Sequence, residues 1–475
     1  MKQMLRVAMV CQAYLMAGAI FGQIGETHYF DKWRLSEGVM LNFNGPQMPT
    51  VSNDSTPYLE GWNHMISDPL TGELLFTTTG HGIYDRFGQF MPNASDFIDG
   101  SPRAIIPHPG NMNLFYVLSW DEIVVGRISY SVVDMSLNGG LGDVVAGQKR
   151  IGFGPLVTQS MKAFSDPSGL RHWLVAHEQF SSDFVVFSIN NQTGLDTVPV
   201  RYTVQPAVGG VYTFYLQALT VSGDRLAGRA QPSNGTWLYT VDPFNGTISG
   251  GMQLPIQPLD YQLEFSPSGR YLYTTSQGAT GAPLYQFDLA AGDASAIVGS
   301  QYSFPEVSNF GPNGGAQIRL GPDGRLWIRP PGNMWGLSHM AWVENPDTQG
   351  ASAGLDSTGL YLDHEFLWSQ YLPWTFWPYA PLVGIPHLTQ ARPAIELQAV
   401  PNPANTTCTF IVKGDLNGGQ LRIFDLTGKL VGQHRIPAHA DRIPVDVSAL
   451  PPGIFVAQVL SSSGVHQAMA RLVKE

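Results

Sequence analysis

From about Glu60 to Asn345 short apolar strands alternate with polar turns, and one figure keeps returning. A strand runs into a turn of the Asp/Ser-Pro-x-Gly type, and a second strand rich in Tyr, Phe, Leu and Val follows. The clearest cases are "MISDPLTGELLFTTTG" (65–80), "MKAFSDPSGLRHWLVAH" (161–177), "YQLEFSPSGRYLYTTS" (261–276) and "AQIRLGPDGRLWIRP" (316–330). Proline fixes φ and glycine accepts φ > 0, so each turn is predicted to join two antiparallel strands. A further strand ending in Asp or Asn comes next, as in "LYTVDPFNG" and "LYQFDLAAG". No long segment carries the apolar period of an amphipathic helix.

The figure recurs roughly every 40–55 residues, the blade spacing of a β-propeller. Six units are predicted to begin near Glu60, Ser101, Gln159, Tyr212, Asp260 and Gly314. A seventh is expected to combine strands from Trp33–Asn44 and Leu360–Leu367, which would close the ring without an exposed edge. Seven blades are favoured over six. The propeller is assigned to residues 24–377 and a Pro-rich linker to 378–396.

After Ala399 the pattern changes. "VPNPANTTCTFIV", "LRIFDLTGKLV" and "RIPVDVSALPPGIFVAQVLSSSG" are short strands cut by Gly, Pro and Asn turns. Leu421 and Ile423, and Ile443, Val445 and Val447, alternate with polar residues as half-buried strands do. Residues 397–475 are therefore read as a small separate β-sandwich.

Composition sharpens this all-β picture. Apolar residues make up 43% of the chain and aromatics 11%, ample for a large core, and 52 Gly and 35 Pro suit many turns. Lys plus Arg total 26 against 37 Asp plus Glu, a net charge of −11. A chain of that sign is repelled by phosphate backbones, so nucleic acid is an unfavourable partner. Residues 1–23 have the basic start, apolar centre and small-residue end of a secretory signal. Its removal would take Cys11 and leave Cys408 as the one thiol, so no intrachain disulfide is expected. No later stretch is long and apolar enough to span a bilayer.

Two resemblances follow from particular segments. "MISDPLTGELLFTTTGHGIYDRFGQFMPN", "AIIPHPGNMNLFYVLSW", "YSVVDMSLNGGLGDVV", "HWLVAH" and "RLGPDGRLWI" fall in the order found in a propeller family of secreted Bacteroidota proteins. Most of residues 30–375 are covered. This chain departs from that family at Ala351-Ser352-Ala353, where a Cys is usual, and at "LPWTFW". The resemblance implies architecture and export, and no chemistry. The last 80 or so residues resemble the type A C-terminal sorting domain of the type IX secretion system. The matching positions are Pro401-Asn402-Pro403, Gly428 and Lys429 in "IFDLTGK", the Gly453-Ile454-Phe455 turn with Phe where Tyr is usual, and the basic end at Lys474. This resemblance implies the type IX machinery as a partner and a secreted or outer-membrane-surface location.

Candidate chemistry is sparse. His172 and His177 are five residues apart on one predicted strand, so they point to opposite faces and cannot share a metal without a bulge. His64, His81 and His108 have no ligand spacing. Asp121-Glu122 and Asp363/Glu365 are the available acids for glycoside hydrolysis, whose outcome depends on carboxyl separation in space. A Gly-x-Ser-x-Gly nucleophile signature is absent. In "LWSQYLPWTFWPYAPL" (367–382), Trp374, Trp377 and Tyr379 are candidates for a sugar-stacking platform. The competing expectation is that they seal the last blade. No cofactor is implied and no catalytic or metal residue is assigned. The resulting expectation is an exported propeller that binds an extracellular protein or glycan. The alternative is a secreted hydrolase of polysaccharide or peptide with acids in the channel.

Overall fold

The computed structural model describes residues 28–36, 39–44, 48–53, 64–95, 100–121, 124–204, 215–231, 235–256, 260–276, 283–304, 316–329, 339–362, 372, 396–413, 417–425, 430–461 and 466–474. Two compact units divide the chain, one built from 28–44 and 48–383 and the other including 384–475.

Among the described residues of the larger unit, seven antiparallel sheets follow one another along the chain. Their inner strands are Lys32–Ser36, His64–Ser67, Gly100–His108, Val157–Ser165, Tyr215–Ser222, Asp260–Phe265 and Gln317–Leu320. Each inner strand lies beside the next along the chain. This is a seven-bladed propeller, and the blade starts expected from sequence fall within a few residues of six of these strands.

The turn chemistry explains the hairpins. In blade 2, Asp68 Oδ1 accepts from the amides of Leu70 (2.9 Å) and Thr71 (3.0 Å), and Gly72 turns back at φ +70°. Blade 4 closes the same way, with the Asp166 amide donating to the Arg171 carbonyl at 2.8 Å and Gly169 at φ +70°. Beyond that turn the strands stay in register from Ser165↔His172 to Met161↔Ala176.

The cores lie between blades. Phe164, Trp173, Phe184, Trp237 and Tyr239 fill the space between blades 4 and 5. Phe265, Leu272, Tyr285 and Phe287 join Leu238 and Leu254 between blades 5 and 6. Each large side chain so buried contributes roughly 1.5–3 kcal/mol relative to exposure.

At ring closure the placement of Leu360 differs from expectation. Lys32–Ser36 and Val39–Asn42 form a three-stranded sheet with Thr50–Asn53, the first blade. Leu360 instead belongs to Leu355–Tyr361, the outer strand of blade 7, where it faces Met340. Residues 363–367 lie outside the described residues. The strand Leu355–Tyr361 can hug its neighbour because Gly359 lets the Trp342 indole lie against the backbone: a Cβ there would sit 1.9 Å from the ring.

Among the described residues, blades 1 and 7 are joined by aromatic packing. Phe43 meets Trp33 edge-on at 4.9 Å and Trp327 at 5.7 Å, and Trp327 lies 5.2 Å from Trp342. Leu372 enters the same core, its amide donating to Gln317 Oε1 at 2.7 Å.

In the second unit, Glu396–Val400, Thr407–Lys413 and Arg442–Asp446 form one sheet. Leu430–Ala438, Asn417–Asp425, Gly453–Ser461 and His466–Lys474 form the other. Leu421, Ile423, Ile443, Val445 and Val447 are buried with Phe410, Phe455 and Leu472, as the alternation predicted. Cys408 is buried in the same core, out of reach of a second chain. Asn402 is exposed, yet its side chain acts as a one-residue strand: Nδ2 donates to the Arg471 carbonyl (2.9 Å) and Oδ1 accepts from the Val473 amide (2.7 Å). Its neighbours Pro401 and Pro403 hold that turn outside the two sheets, while Lys474 is buried beside Ala404. Gly453 opens the strand that carries Phe455. Gly428 and Lys429 lie outside the described residues.

Candidate functional site

Each of the seven inner strands carries a polar or charged side chain that is buried or nearly so. They are Arg34, His64, Arg103, Lys162, Thr220, Glu264 and Arg319, in blade order. The first six are buried, and Arg319 nearly so.

Five of them, His64, Arg103, Lys162, Glu264 and Arg319, lie within electrostatic reach of one another. The charge of Arg319 in blade 7 acts on His64 in blade 2 and on Lys162 in blade 4, and Glu264 in blade 6 also acts on Lys162. Blades 4 and 7 are not neighbours on the ring, so these groups meet through the channel.

Glu264 is held at both oxygens. The Thr220 hydroxyl donates to Oε1, and Arg319 Nη1 donates to Oε2 at 3.3 Å. These three stand nearest the first hairpin turns of their blades. Lys162 and His64 each stand four residues before their turn residues Asp166 and Asp68, one layer closer to the interblade connections. His64 lies 3.1 Å by Nε2 from the Pro102 carbonyl, and the Arg103 guanidinium stacks 5.4 Å above the Trp120 ring. Burial first, and then Arg103, push the His64 imidazole down to about 3. Burial likewise lowers the Lys162 ammonium to about 8, opposed by Glu264 and reinforced by Arg319.

His172 and His177 do lie on one strand, Arg171–Glu178, and both are buried. His172 Nδ1 is 2.9 Å from Ser165 Oγ, and the His177 ring sits edge-on to Phe184 at 5.2 Å. They are packing histidines, lowered by burial to about 3 and about 4.

With His64, they give the protein an acid weakness. All three folded-state values lie below the unfolded value of about 6.5, so the unfolded chain binds more protons below that pH. Their stabilisation is complete above pH 6.5 and is lost as pH falls toward 3–4. The loss expected by pH 5 is about 2 kcal/mol per histidine. Urea-unfolding midpoints should therefore drop steeply between pH 7 and pH 5; a flat profile over that range would contradict the burial of neutral imidazoles.

Asp121 is engaged with Arg127 and with the Val124 amide. Glu122, Asp363, Glu365, Trp374, Trp377 and Tyr379 lie outside the described residues. Among the described residues, no group of three or more His, Cys, Asp or Glu is placed to hold a metal ion.

A second feature occupies the propeller face opposite the Asp/Ser-Pro-x-Gly turns. Three connections are tied together there: the Val157 amide donates to Gly126 O (2.7 Å), and the Gln179 amide donates to Leu156 O (2.9 Å). These connections carry apolar residues where turns are normally polar. Val124 is 42% exposed, Val125 46%, Leu156 44% and Phe180 71%. Phe180 adopts φ +58°, an uncommon conformation for a bulky residue, and holds its ring in solvent. The rim carries the Arg127–Asp121 and Arg201–Glu178 ion pairs.

Sequence reasoning missed both features. The available signals were charged residues inside otherwise apolar inner strands ("KWRLS", "MKAF", "DYQLEF", "QIRL") and apolar residues inside Gly-containing turns.

The described residues form a seven-bladed propeller unit followed by a β-sandwich. Residues 398–475 match the family of secretion system C-terminal sorting domains, so the chain carries the sorting domain of the type IX secretion system and is exported to the cell surface or secreted. No helix among the described residues is long and apolar enough to cross a membrane. No curated protein sequence matches the chain.

Solved structures similar in fold include a provisionally assigned 6-phosphogluconolactonase from Bacteroides uniformis. It is 14% identical with a TM-score of 0.45, over 71% of this chain and 98% of that one. A protein from Lactobacillus plantarum is 14% identical with a TM-score of 0.36, over 82% and 99% of the two chains. The periplasmic gluconolactonase of Pseudomonas aeruginosa is 13% identical with a TM-score of 0.35, over 55% and 74%. Likeness at this level bears on no ligand or activity of this chain.

Proposed function

We propose that this protein is an exported binding module that recognises an extracellular protein on the propeller face marked by Phe180. The observation that supports this reading is the exposed apolar set Val124, Val125, Leu156 and Phe180, on connections tied to one another by backbone hydrogen bonds, with Phe180 in a strained turn and ion pairs nearby. Folding gains nothing from exposing these side chains, and an apolar centre with a polar rim is the make-up of a protein-binding patch. On this reading residues 1–23 direct export, 24–377 bind, 378–396 link and 397–475 address.

The hydrolase alternative needs two carboxyls at the reaction centre. Glu264, a buried carboxylate of the described inner strands, is already engaged by Thr220 and Arg319.

Immobilised wild-type protein and Phe180→Asp should be compared for capture from cell-surface and medium fractions, beside their melting curves. Capture of a defined partner should fall at least tenfold in the variant, with stability changed by about 0.5 kcal/mol or less, as for surface substitutions. Equal capture by both proteins, or retention of a glycan in place of a protein, would reject the reading. Release of new reducing ends or amino termini by the wild type would instead establish the hydrolase.

A further inference from the structure

We infer that the sorting domain is read along one open sheet edge, Leu430–Ala438, which takes an acidic extended segment of the type IX secretion machinery as an added strand. This surface rests on the sorting role of residues 398–475 and is independent of the apolar patch.

The two sheets of the sandwich have four edges, and among the described residues three of them are blocked. The terminal strand His466–Lys474 is covered from upstream: Asn402 bonds the Arg471 carbonyl and the Val473 amide, and the Ala404 amide donates to the Val473 carbonyl at 2.8 Å. Glu396–Val400 lies beside that same strand. Arg442–Asp446 is five residues long and carries Pro444, which has no amide to offer. Leu430–Ala438 is different. It is nine residues long and pairs with Asn417–Asp425 on one side, and with no strand on the other among the described residues. Proline enters only at Pro437, next to its end. An edge of this length leaves alternate amides and carbonyls ready to pair with another chain.

Charge decides what the edge accepts. Arg435 is exposed and stands in register with Gln420, on the face turned away from the core. Gln420 Oε1 accepts from Arg422 Nη2 at 3.1 Å and from Gln433 Nε2 at 3.0 Å, which holds the Arg422 guanidinium beside the edge strand. Neither Arg422 nor Arg435 has a carboxylate partner among the described residues, and the buried Arg422 Nε–H makes no hydrogen bond. A carboxylate on an added strand accepts from such guanidinium donors. A second copy of this strand would instead bring like charges together, so the same residues disfavour self-pairing.

The wider charge distribution agrees. Residues 397–475 hold seven Lys and Arg against five Asp and Glu, in a chain with 26 against 37. The address is the basic part of an acidic protein, and an acidic partner is steered to it and away from the rest.

The test is made with the full chain in cells that export it. A photo-crosslinking amino acid replaces Gln433, exposed on this edge, and the adduct is read by mass spectrometry. A peptide of the export machinery that contains Asp or Glu is expected. An adduct to the protein's own propeller, to a second copy or to a peptide without acids would overturn the inference, as would the absence of any adduct.

Arg435→Glu should lower surface delivery by about tenfold or more, whereas Arg435→Lys, which keeps the charge, should stay within about twofold of wild type. Arg435 is exposed, so both purified variants should melt with the wild type, and a merely structural role would not separate them by the sign of the charge. Equal delivery of Arg435→Glu and wild type would overturn the inference. Phe180→Asp should reach the surface as the wild type does, so failure of the patch and failure of the edge are read separately.

Discussion

Deletion of residues 397–475 is expected to leave a folded propeller that never reaches the cell surface. The apolar cores of the described blades draw on residues up to Leu372, whereas the sandwich core runs from Ala399 to Leu472 and shares none of them. Each unit buries its own apolar surface, so removing the second takes away an address and no blade. The truncated chain should accumulate in the periplasm with the melting curve of an intact propeller, read by fractionation, surface-protease accessibility and circular dichroism. Ordinary surface delivery would refute the sorting role. A milder probe is Asn402→Ala, which deletes both side-chain bonds to the terminal strand and should reduce delivery without touching the propeller.

Trp327→Ala should be among the most damaging single changes in the propeller. Its indole is fully buried where blades 1 and 7 meet, between Phe43 and Trp342, and its Nε1–H donates to Asp323 at 3.0 Å. Among the described residues, the side-chain packing around it joins the two blades. Truncating a large core aromatic costs about 3–5 kcal/mol. Phe87→Ala, at an exposed turn in blade 2, should cost about 0.5 kcal/mol or less and serves as the control. Comparable melting of the two variants would show that blades 1 and 7 are held together elsewhere.

The fold was largely legible because its instructions are local. An Asp or Ser before Pro, with Gly a few residues on, specifies a hairpin wherever it stands, and two-residue alternation specifies the flanking strands. Leu360 is misplaced by sequence for the same reason. Leu360 alternates like any strand residue, and nothing local says whether it pairs with Met340 or with the strand Lys32–Ser36. The channel was not legible. Arg103, Lys162 and Arg319 are each a lone charge on an apolar strand, and tens to hundreds of residues separate them. Only closure of the ring makes them a group. The apolar patch was hidden likewise, because Val125 and Phe180 belong to turns of different blades that hydrogen bonds draw together.

The amide of Asn402 has a consequence for what a sorting signal is in this chain. Arg471 and Val473 are paired on one side with Gly453–Ser461 and on the other with a side chain seventy residues upstream. Lys474 is packed away beside Ala404. His466–Lys474 is thus a strand of the sandwich. Its residues become legible only after residues on both sides of the sandwich have come together, so the signal doubles as a certificate of folding: a chain that has not finished this domain has nothing to show.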